Sequence, residues 1–323
     1  MAFSPRARTT SSFISGPEQG KPAGAARGRA GTPRESGPQY IAKLLASPGL
    51  SAATPAAREL FIHLGYWPDP STAGHRHDDL LDAQGRLNDR LLEMAGLGDG
   101  MRVYDVGCGV GGTLATIDAR HHAMRLHGIN CDARQLELAA RAVRTRPGNS
   151  CGWVRADACA LPFAAGSADR VVAIECAFHF PSRRRFLLEA ARVLRPGGRL
   201  VLSDFIPSDT LRVWHDSQVF PGVALGAGLE RSLVDSVGPW PDFWGLESDY
   251  ATLAPASGLV LAAREDASAK TLPSYRCFLG PEAGVDASTA RDPVDQAMIV
   301  LEWLQARGFL RMEIFAFDRA KLV

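Results

Sequence analysis

The feature that most constrains this chain is a glycine-rich turn placed directly after a short apolar run. Residues 102–113 read Arg-Val-Tyr-Asp-Val-Gly-Cys-Gly-Val-Gly-Gly-Thr. The run predicts a β-strand that ends in Asp105, and helix-compatible sequence follows over 113–123. A strand, a glycine turn and a helix start form a cradle for a small polar ligand, because glycine allows close backbone approach and the helix N-terminus offers N–H groups. The turn also fits the dinucleotide pattern GxGxxG, at Gly107, Gly109 and Gly112.

The sequence after this turn alternates predicted strands with predicted helices. We expect strands at residues 102–105, 125–130, 151–157, 170–175, 199–204 and 259–263, with a closing strand at 311–317. Helices are expected at 78–94, 133–144, 181–194 and 293–307, and the third of these is expected to end at Arg195-Pro-Gly-Gly198. The alternation predicts an α/β fold with a doubly wound, mostly parallel, seven-stranded Rossmann-like sheet, in which the last helix and strand form an antiparallel edge.

The chain divides into three predicted regions. Residues 1–38 are rich in Gly, Pro, Ser, Ala and Arg and are predicted to be a disordered tail, although their acid-poor character also resembles a transit peptide. Residues 39–98 are predicted to supply N-terminal cover helices, with helical spacing from Tyr40 to Tyr66 and a break near Pro48. Residues 99–323 are predicted to form the ligand-binding domain, with an aromatic-rich lid insertion at 206–250.

The composition excludes several classes of protein. The 36 basic residues nearly balance the 35 acidic residues, which argues against binding along nucleic acid or an anionic membrane. The six cysteines contain no CxxC pair, and this favours a reducing compartment over a disulfide scaffold. No apolar run reaches the roughly 18 to 20 residues that span a bilayer. We therefore expect a soluble, cytoplasmic protein.

One loop carries side chains of the type that bind metals, namely His75, His77, Asp78 and Asp79. Two histidines two residues apart in a loop do not determine a coordination geometry, and solvated loops often have this composition. We therefore predict no metal site, although the loop leaves that alternative open.

The predicted strand ends carry the polar residues expected to face the ligand. In a doubly wound sheet the ligand lies at the carboxyl ends of the strands, near the point where the strand order reverses. A nicotinamide-binding enzyme would carry an acidic residue at the end of the second strand, where this chain has an asparagine. The residues at these ends are Asp105, Asn130, Asp157, Glu175 and Asp204.

These stretches together resemble the class I S-adenosylmethionine-dependent methyltransferases over roughly residues 60–275. The resemblance is carried by Asp105-Val-Gly-Cys-Gly-Val-Gly111, Gly128-Ile-Asn130 with Gln135, Asp157-Ala158 before Leu161-Pro-Phe163, Glu175, and Val193-Leu-Arg-Pro-Gly-Gly198. It implies S-adenosylmethionine as the cofactor, so that residues 99–323 become the methyltransferase domain.

The resemblance also implies roles for individual residues. The turn of Gly107, Gly109 and Gly111, beside Asp105, would back the methionine and ribose parts of the cofactor. Asn130 would face the ribose where many relatives have an acidic residue, and Cys131 would flank the adenine. The remaining residues implied in cofactor binding are Tyr66, which lies in a cofactor-covering segment, Gln135, Asp157 and Ala158 at the adenine edge, and Glu175 near the methionine end.

Within that family the sequence is most similar to small-molecule O-methyltransferases of secondary metabolism, including sugar methyltransferases. The similar stretches are Glu175-Cys-Ala-Phe-His-Phe-Pro181, Leu202-Ser-Asp-Phe205 and Thr271-Leu-Pro-Ser-Tyr275. The markers of nucleic-acid base methylation do not occur. The expected partner is therefore a small-molecule acceptor, with no nucleic acid and no membrane; the oligomeric state stays open, a homodimer included.

The chemistry suggests a catalytic pair. Methyl transfer needs a nucleophile held in line with the S–CH₃ bond and relieved of its proton. His179, with an ordinary pKa near 6.5, suits the role of general base, and Asp204 at the next strand end would orient it. Alternatives are that both residues are structural, that a nitrogen or carbon atom is methylated, that the protein is a non-methylating cyclase or binding protein, or that it is a nicotinamide oxidoreductase.

Overall fold

The computed structural model describes residues 39–52, 56–217, 233, 236–238, 250–279 and 292–321. Within these ranges the chain folds into a seven-stranded sheet covered by helices on both faces. The predicted tail at 1–38 lies outside the described residues, as does most of the predicted insertion at 206–250.

The strand order confirms the predicted Rossmann-like sheet. The sheet has the order β3-β2-β1-β4-β5-β7-β6, with β1 to β5 parallel to one another and β7 antiparallel to both β5 and β6. The order reverses at β1, so the ligand crevice of such a fold lies where β1 and β4 end. The strands are β1 Arg102–Val106, β2 Arg125–Asn130, β3 Ser150–Arg155, β4 Ala168–Ile174, β5 Leu194–Pro207, β6 Leu259–Asp266 and β7 Leu310–Arg319.

The predicted antiparallel edge is wrong in one respect, because β7 lies inside the sheet and β6 forms the edge. Strand β7 carries a nearly continuous apolar run whose side chains are buried on both faces, from Met312 to Phe317. Strand β6 instead exposes Val260 and Leu261. A strand that is apolar on both faces is more stable between two neighbours than at an edge.

The helices begin and end at recognisable capping residues. Asp79 accepts the N–H of Arg76 at the start of α3, and Gly96 adopts φ 59° at its end. Ser182 and Asp292 cap two later helices through their side-chain oxygens. The helices are α1 Gln39–Leu45, α2 Pro48–Ser51, α3 His77–Ala95, α4 Gly112–Arg120, α5 Ala133–Ala142, α6 Arg183–Val193, α7 Asp209–Ser217, α8 Tyr250–Ala256, α9 Ser268–Thr271, α10 Ser274–Leu279 and α11 Pro293–Ala306.

Helix α6 ends at Val193, within one residue of the predicted end at Leu194. The residues Arg195-Pro-Gly-Gly198, which the sequence indicates as a helix end, already belong to β5, which begins at Leu194. The pairing of β4 with β5 shifts register between Ala168 and Arg170, which accommodates Gly197 at φ 76°. The glycines therefore shape an irregular strand start instead of a helix end.

The N-terminal cover segment is helical only in part. Helices α1 and α2 are followed by a short 3₁₀ helix, Ala57–Leu60, and the prediction of helix on to Tyr66 is wrong. Backbone N–H groups of the following residues bond to distant partners: Leu64 to the Glu175 carboxylate, Gly65 to Ser274 Oγ and Tyr66 to the Ala83 carbonyl. These bonds replace the i→i−4 bonds of a helix, so tertiary contacts override the local helical spacing.

The described helices do not include any that is both long and apolar enough to cross a lipid bilayer. The predicted cytoplasmic location stays a prediction.

Candidate active site

The glycine turn follows β1 as the sequence predicts. Gly107, Gly109 and Gly111 have φ angles of 78°, 54° and 92°, which L-residues with side chains rarely adopt. A Cβ on Gly107 would lie 2.5 Å from Cys176 Sγ, and one on Gly111 would lie 2.8 Å from Trp153 Cη2. Gly107 therefore allows β4 to approach, and Gly111 allows close packing against β3.

The extended segment after the 3₁₀ helix covers this turn. A Cβ on Gly109 would lie 2.9 Å from Ile62 Cδ1, and one on Gly112 would lie 2.5 Å from the Leu60 carbonyl oxygen. The segment thus lies directly over the cradle. It is anchored on the other side of the crevice by the N–H of Leu64, which donates to both carboxylate oxygens of Glu175 at 3.1 and 3.0 Å.

Asp105 lies at the centre of this arrangement. Its side chain is buried, and burial raises its pKa to about 7. Its Oδ2 has no hydrogen-bond partner among the described residues. A buried acceptor without a partner is costly, so this atom fits a ligand or water that donates a hydrogen bond.

Asn130, at the end of β2, belongs to a buried amide network. Its Oδ1 accepts the N–H of Asp132 at 3.0 Å, and its Nδ2 donates to Gln135 Oε1 at 3.3 Å. An amide nitrogen carries two hydrogens, so one N–H of Asn130 remains for a ribose hydroxyl. The structure thus places Asn130 and Gln135 together, as the resemblance implies.

The residues implied at the adenine lie near the ends of β2 and β3. Asp157 uses Oδ1 to accept the N–H of Cys159 at 2.8 Å, and Ala158 is buried. Cys131 is exposed, and its carbonyl accepts from Arg155 Nε at 3.1 Å. Although the residue is exposed, the surrounding protein partly removes its thiol from water, and this, together with the nearby Asp132, raises the pKa of Cys131, so the group is a neutral thiol near pH 7.

Glu175 has an unusual backbone and an unusual carboxyl group. Its φ is 46°, although it is not a glycine. Its N–H donates to both the carbonyl oxygen and the hydroxyl oxygen of Ser203. Removal from water raises the pKa of Glu175 to about 8, although the N–H of Leu64 opposes this shift. Strained backbone of this kind is retained where the surroundings hold it, often at functional sites.

His179 ends a 3₁₀ helix, Ala177–His179, one turn beyond Glu175. Its Nε2 lies 3.3 Å from the hydroxyl of Tyr40, and the two rings are nearly parallel at 17°. Phe178 packs against the same imidazole at a centroid distance of 4.2 Å. The imidazole therefore lies beside an aromatic ring from helix α1, a contact that the sequence did not indicate.

The structure does not pair Asp204 with His179. The Asp204 carboxylate accepts from Arg183 Nε at 2.7 Å, from the Tyr250 hydroxyl at 2.8 Å and from the N–H of Phe205 at 2.9 Å. Asp204 and Arg183 are both fully buried. The predicted orienting role of Asp204 is therefore not supported by this geometry, because a buried arginine takes up the carboxylate.

Tyr66 has a different environment from the one the resemblance implies. Its hydroxyl donates to Glu265 Oε1 at 2.7 Å and accepts from Lys270 Nζ at 2.7 Å, at the end of β6. Any contact with a cofactor would thus have to use its ring or backbone. The adjacent Trp67 is buried against Leu80 and belongs to the core.

The metal-type loop is occupied by ordinary ion pairs. Asp78 pairs with Arg58, and His77 approaches Glu59 at 3.4 Å. Within the described ranges we find no group of three or more His, Cys, Asp or Glu side chains that could hold a metal ion.

Tyr40 is a site residue that the sequence does not indicate, since nothing in the spacing of the cover helix shows that it reaches His179. His63 lies in the cover segment. His63 is buried, donates its Nδ1–H to the Leu64 carbonyl at 2.7 Å, and has no partner for Nε2 among the described residues. Burial lowers the pKa of His63 to about 4.

Comparison with known proteins supports this assignment. A family model described as a methyltransferase domain matches residues 104–202. The methyltransferase GfsG of Streptomyces halstedii is 35% identical over 214 residues, which are 66% of this chain and 70% of that protein. The 27-O-demethylrifamycin SV methyltransferase of Amycolatopsis mediterranei is 39% identical over 146 residues, 45% of this chain and 51% of that protein.

Solved structures show the same fold. The cyclopropane synthase MmaA2 of Mycobacterium tuberculosis has a TM-score of 0.67 at 16% identity, covering 85% of this chain and 95% of that chain. The [4+2]-cyclase SpnF has a TM-score of 0.61 at 20% identity, covering 88% and 94%.

Proposed function

The chain belongs to the class I S-adenosylmethionine-dependent methyltransferases of small molecules, and on that premise we propose that it methylates a hydroxyl oxygen of a natural product. His179 acts as the general base. The observation that carries the proposal is the position of His179, one turn beyond the strained Glu175 at the end of β4. There its Nε2 lies 3.3 Å from a hydroxyl group, that of Tyr40. The relative from Amycolatopsis mediterranei is named as the methyltransferase of 27-O-demethylrifamycin SV, a compound that lacks a methyl group on an oxygen atom. This name supports oxygen as the acceptor atom.

The residues around the glycine turn fit the cofactor. Asp105 offers a buried oxygen without a partner, and Asn130 keeps one N–H for a ribose hydroxyl. Asp157, Ala158 and Cys131 would border the adenine. S-adenosylmethionine, when bound, supplies a methyl group on a sulfonium centre and leaves as S-adenosylhomocysteine.

His179 removes the proton that the acceptor oxygen loses. A neutral imidazole accepts a proton at its unprotonated ring nitrogen, and this raises the electron density of the attacking oxygen. Phe178 packs on the imidazole and limits its rotation. The chain's own contribution is therefore the position of the acceptor and the removal of one proton.

The test is a comparison of His179→Ala with His122→Ala, which removes an exposed imidazole from another part of the chain. We expect His179→Ala to lower kcat on the acceptor by about 10²- to 10⁴-fold, the usual contribution of a general base. Affinity for S-adenosylhomocysteine, measured by calorimetry, should stay the same in both variants. A His179→Ala protein with full activity would remove His179 from the mechanism.

Asp204 is expected to behave differently, because its substitution affects folding. Asp204→Asn leaves the buried guanidinium of Arg183 without its carboxylate, and breaking a buried pair costs about 3 to 5 kcal/mol. Urea unfolding should show this loss, whereas His179→Ala should unfold nearly as the wild type does. If Asp204→Asn kept its stability but lost activity, a catalytic role for Asp204 would return.

Methylation of a nitrogen or carbon atom is the second candidate. It is favoured by the engagement of Asp204 with Arg183, since Asp204 is then not available to orient the imidazole as the general-base mechanism predicts. Full methyltransferase activity of His179→Ala would favour methylation of a nitrogen or carbon atom. Mass spectrometry of the product distinguishes both candidates from a cyclase, which would form no S-adenosylhomocysteine.

A further inference from the structure

The contact between Tyr40 and His179 joins helix α1 to the proposed catalytic base. The Tyr40 hydroxyl lies 3.3 Å from His179 Nε2. Burial, followed by the neighbouring Cys176, Glu175 and Cys131, raises the pKa of Tyr40 above its ordinary value. The phenol therefore keeps its proton, and in the tautomer that a general base requires, with Nε2 unprotonated, its O–H donates a hydrogen bond to Nε2.

The same groups place the Tyr40 ring in the crevice between the ends of two strands. Cys131 follows β2, and Glu175 and Cys176 follow β4. The Tyr40 ring is nearly parallel to the imidazole, with centroids 6.2 Å apart. An aromatic ring with one hydroxyl thus fits beside His179, and the structure shows such a ring in that place.

An acceptor hydroxyl would need the same nitrogen atom. The lone pair of Nε2 in a neutral imidazole accepts one good hydrogen bond, so Tyr40 and an acceptor hydroxyl compete for it. Relying on the proposed O-methylation, we propose that Tyr40 is an internal stand-in for the acceptor, that it leaves when the acceptor binds, and that the acceptor is itself a planar hydroxylated ring.

Helix α1 is suited to such a movement. It has seven residues, and helices this short are marginal without tertiary contacts. Lys43, one turn after Tyr40, pairs with Asp292 at 2.8 Å and with Asp295 at 2.9 Å at the start of α11. In the Lys43–Asp292 pair both side chains are exposed, and such pairs are weak and screened by salt, whereas in the second pair Asp295 is buried and Lys43 is half exposed. These contacts hold α1 in the position in which Tyr40 contacts His179, but they do not make the helix rigid.

The experiment uses the full chain with saturating S-adenosylhomocysteine and two probes, phenol and benzene. Tyr40→Ala removes the ring and its hydroxyl but keeps the Cβ, so phenol has the shape of the missing part. We expect saturable phenol binding to Tyr40→Ala by ligand-observed NMR, and none to the wild type over the same concentrations. Gln39→Ala, a change at an exposed position of the same helix that leaves Tyr40 and Lys43 in place, should behave as the wild type.

The hydroxyl dependence is tested in a second step. Tyr40→Ala/His179→Leu should bind phenol about tenfold more weakly than Tyr40→Ala, the size of one hydrogen bond lost, whereas its affinity for benzene should be unchanged. Phenol affinity that does not depend on His179, or equal phenol binding to wild type and Tyr40→Ala, would overturn the proposal.

A further variant covers the case in which Tyr40→Ala does not fold. Lys43→Met removes both ion pairs and keeps Tyr40, so it should favour the open position of α1 and gain measurable phenol binding. Phenol binding equal to that of the wild type would count against a movable α1.

Product analysis separates this proposal from the proposed function. Incubation of Tyr40→Ala with S-adenosylmethionine and phenol should give anisole. If phenol binds through His179 and no anisole forms, the stand-in role of Tyr40 holds and O-methylation fails. If a natural hydroxylated acceptor is methylated but phenol does not bind to Tyr40→Ala, O-methylation holds and the stand-in role of Tyr40 fails.

Discussion

At the scale of single residues, Glu175 shows how one side chain combines strain, burial and contact. Its left-handed backbone directs β4 out of the sheet, and its carboxyl group receives the N–H of Leu64 from the cover segment. The sequence identified this residue from its place after a strand, but it contained no sign of the positive φ. Since a non-glycine residue at such an angle depends on its surroundings, only the folded structure can show it.

Glu175 should make stability depend on pH. Its pKa rises from an ordinary 4.5 to about 8 on folding, so between these values the folded protein holds more protons than the unfolded chain. The free energy of unfolding therefore falls as pH rises, by up to about 1.4 kcal/mol per pH unit. Glu175→Gln has no proton to lose, so urea unfolding from pH 5 to 8 should show a flatter slope.

A suitable control is Glu137→Gln, on the exposed side of α5. It should keep the wild-type slope. Parallel curves for Glu175→Gln and wild type would show that Glu175 does not titrate in this range.

At the scale of elements, the glycine turn and the cover segment define the site together. The turn and the strands were predictable because glycine spacing and apolar runs are local properties. The end of the second cover helix was not, because the N–H groups of Leu64 and Gly65 bond to residues more than a hundred positions away. The network around Asp204 escaped prediction for the same reason, since Arg183 reaches it across two elements.

Two glycines with positive φ allow a matched test of the turn. Gly107 has φ 78°, and a Cβ added to it would lie 2.5 Å from Cys176 Sγ. Gly148 has φ 91°, and a Cβ added to it would meet no atom within 4 Å. Gly148→Ala should cost about 1 to 2 kcal/mol from backbone strain alone. Gly107→Ala should cost a further 1 to 3 kcal/mol or so from overpacking, and weaken S-adenosylhomocysteine binding. Equal losses of unfolding free energy in the two variants, measured with urea, would show that Cys176 can move aside at little cost.

At the scale of the whole molecule, the alternation of elements predicts the doubly wound sheet, and the strand order of the structure confirms it. The place of β7 was not predicted, because nothing local shows which neighbour a final strand joins. The cofactor followed from several motifs together, and the acceptor did not follow from any of them. Acceptor specificity depends on shape, including the contact of Tyr40 with His179, which periodicity does not encode.

The cofactor should stabilise the whole protein. A ligand that binds only the folded state at a hundredfold excess over its Kd adds about 2.7 kcal/mol to the free energy of unfolding. S-adenosylhomocysteine should therefore raise Tm, and Asn130→Ala should reduce that rise. NADH is the control and should leave Tm unchanged; a rise with NADH alone would favour the nicotinamide alternative.

The position of β7 also has a consequence for synthesis on the ribosome. Among the described strands, β6 pairs only with β7, yet β7 ends about fifty residues later in the chain. At elongation rates of about 5 to 20 residues per second, β6 waits roughly 3 to 10 seconds and one side of β5 waits roughly 6 to 22 seconds without a pairing partner. During that interval the nascent chain exposes two open strand edges, and the exposed Val260 and Leu261 on β6 make it a binding site for chaperones before the sheet closes.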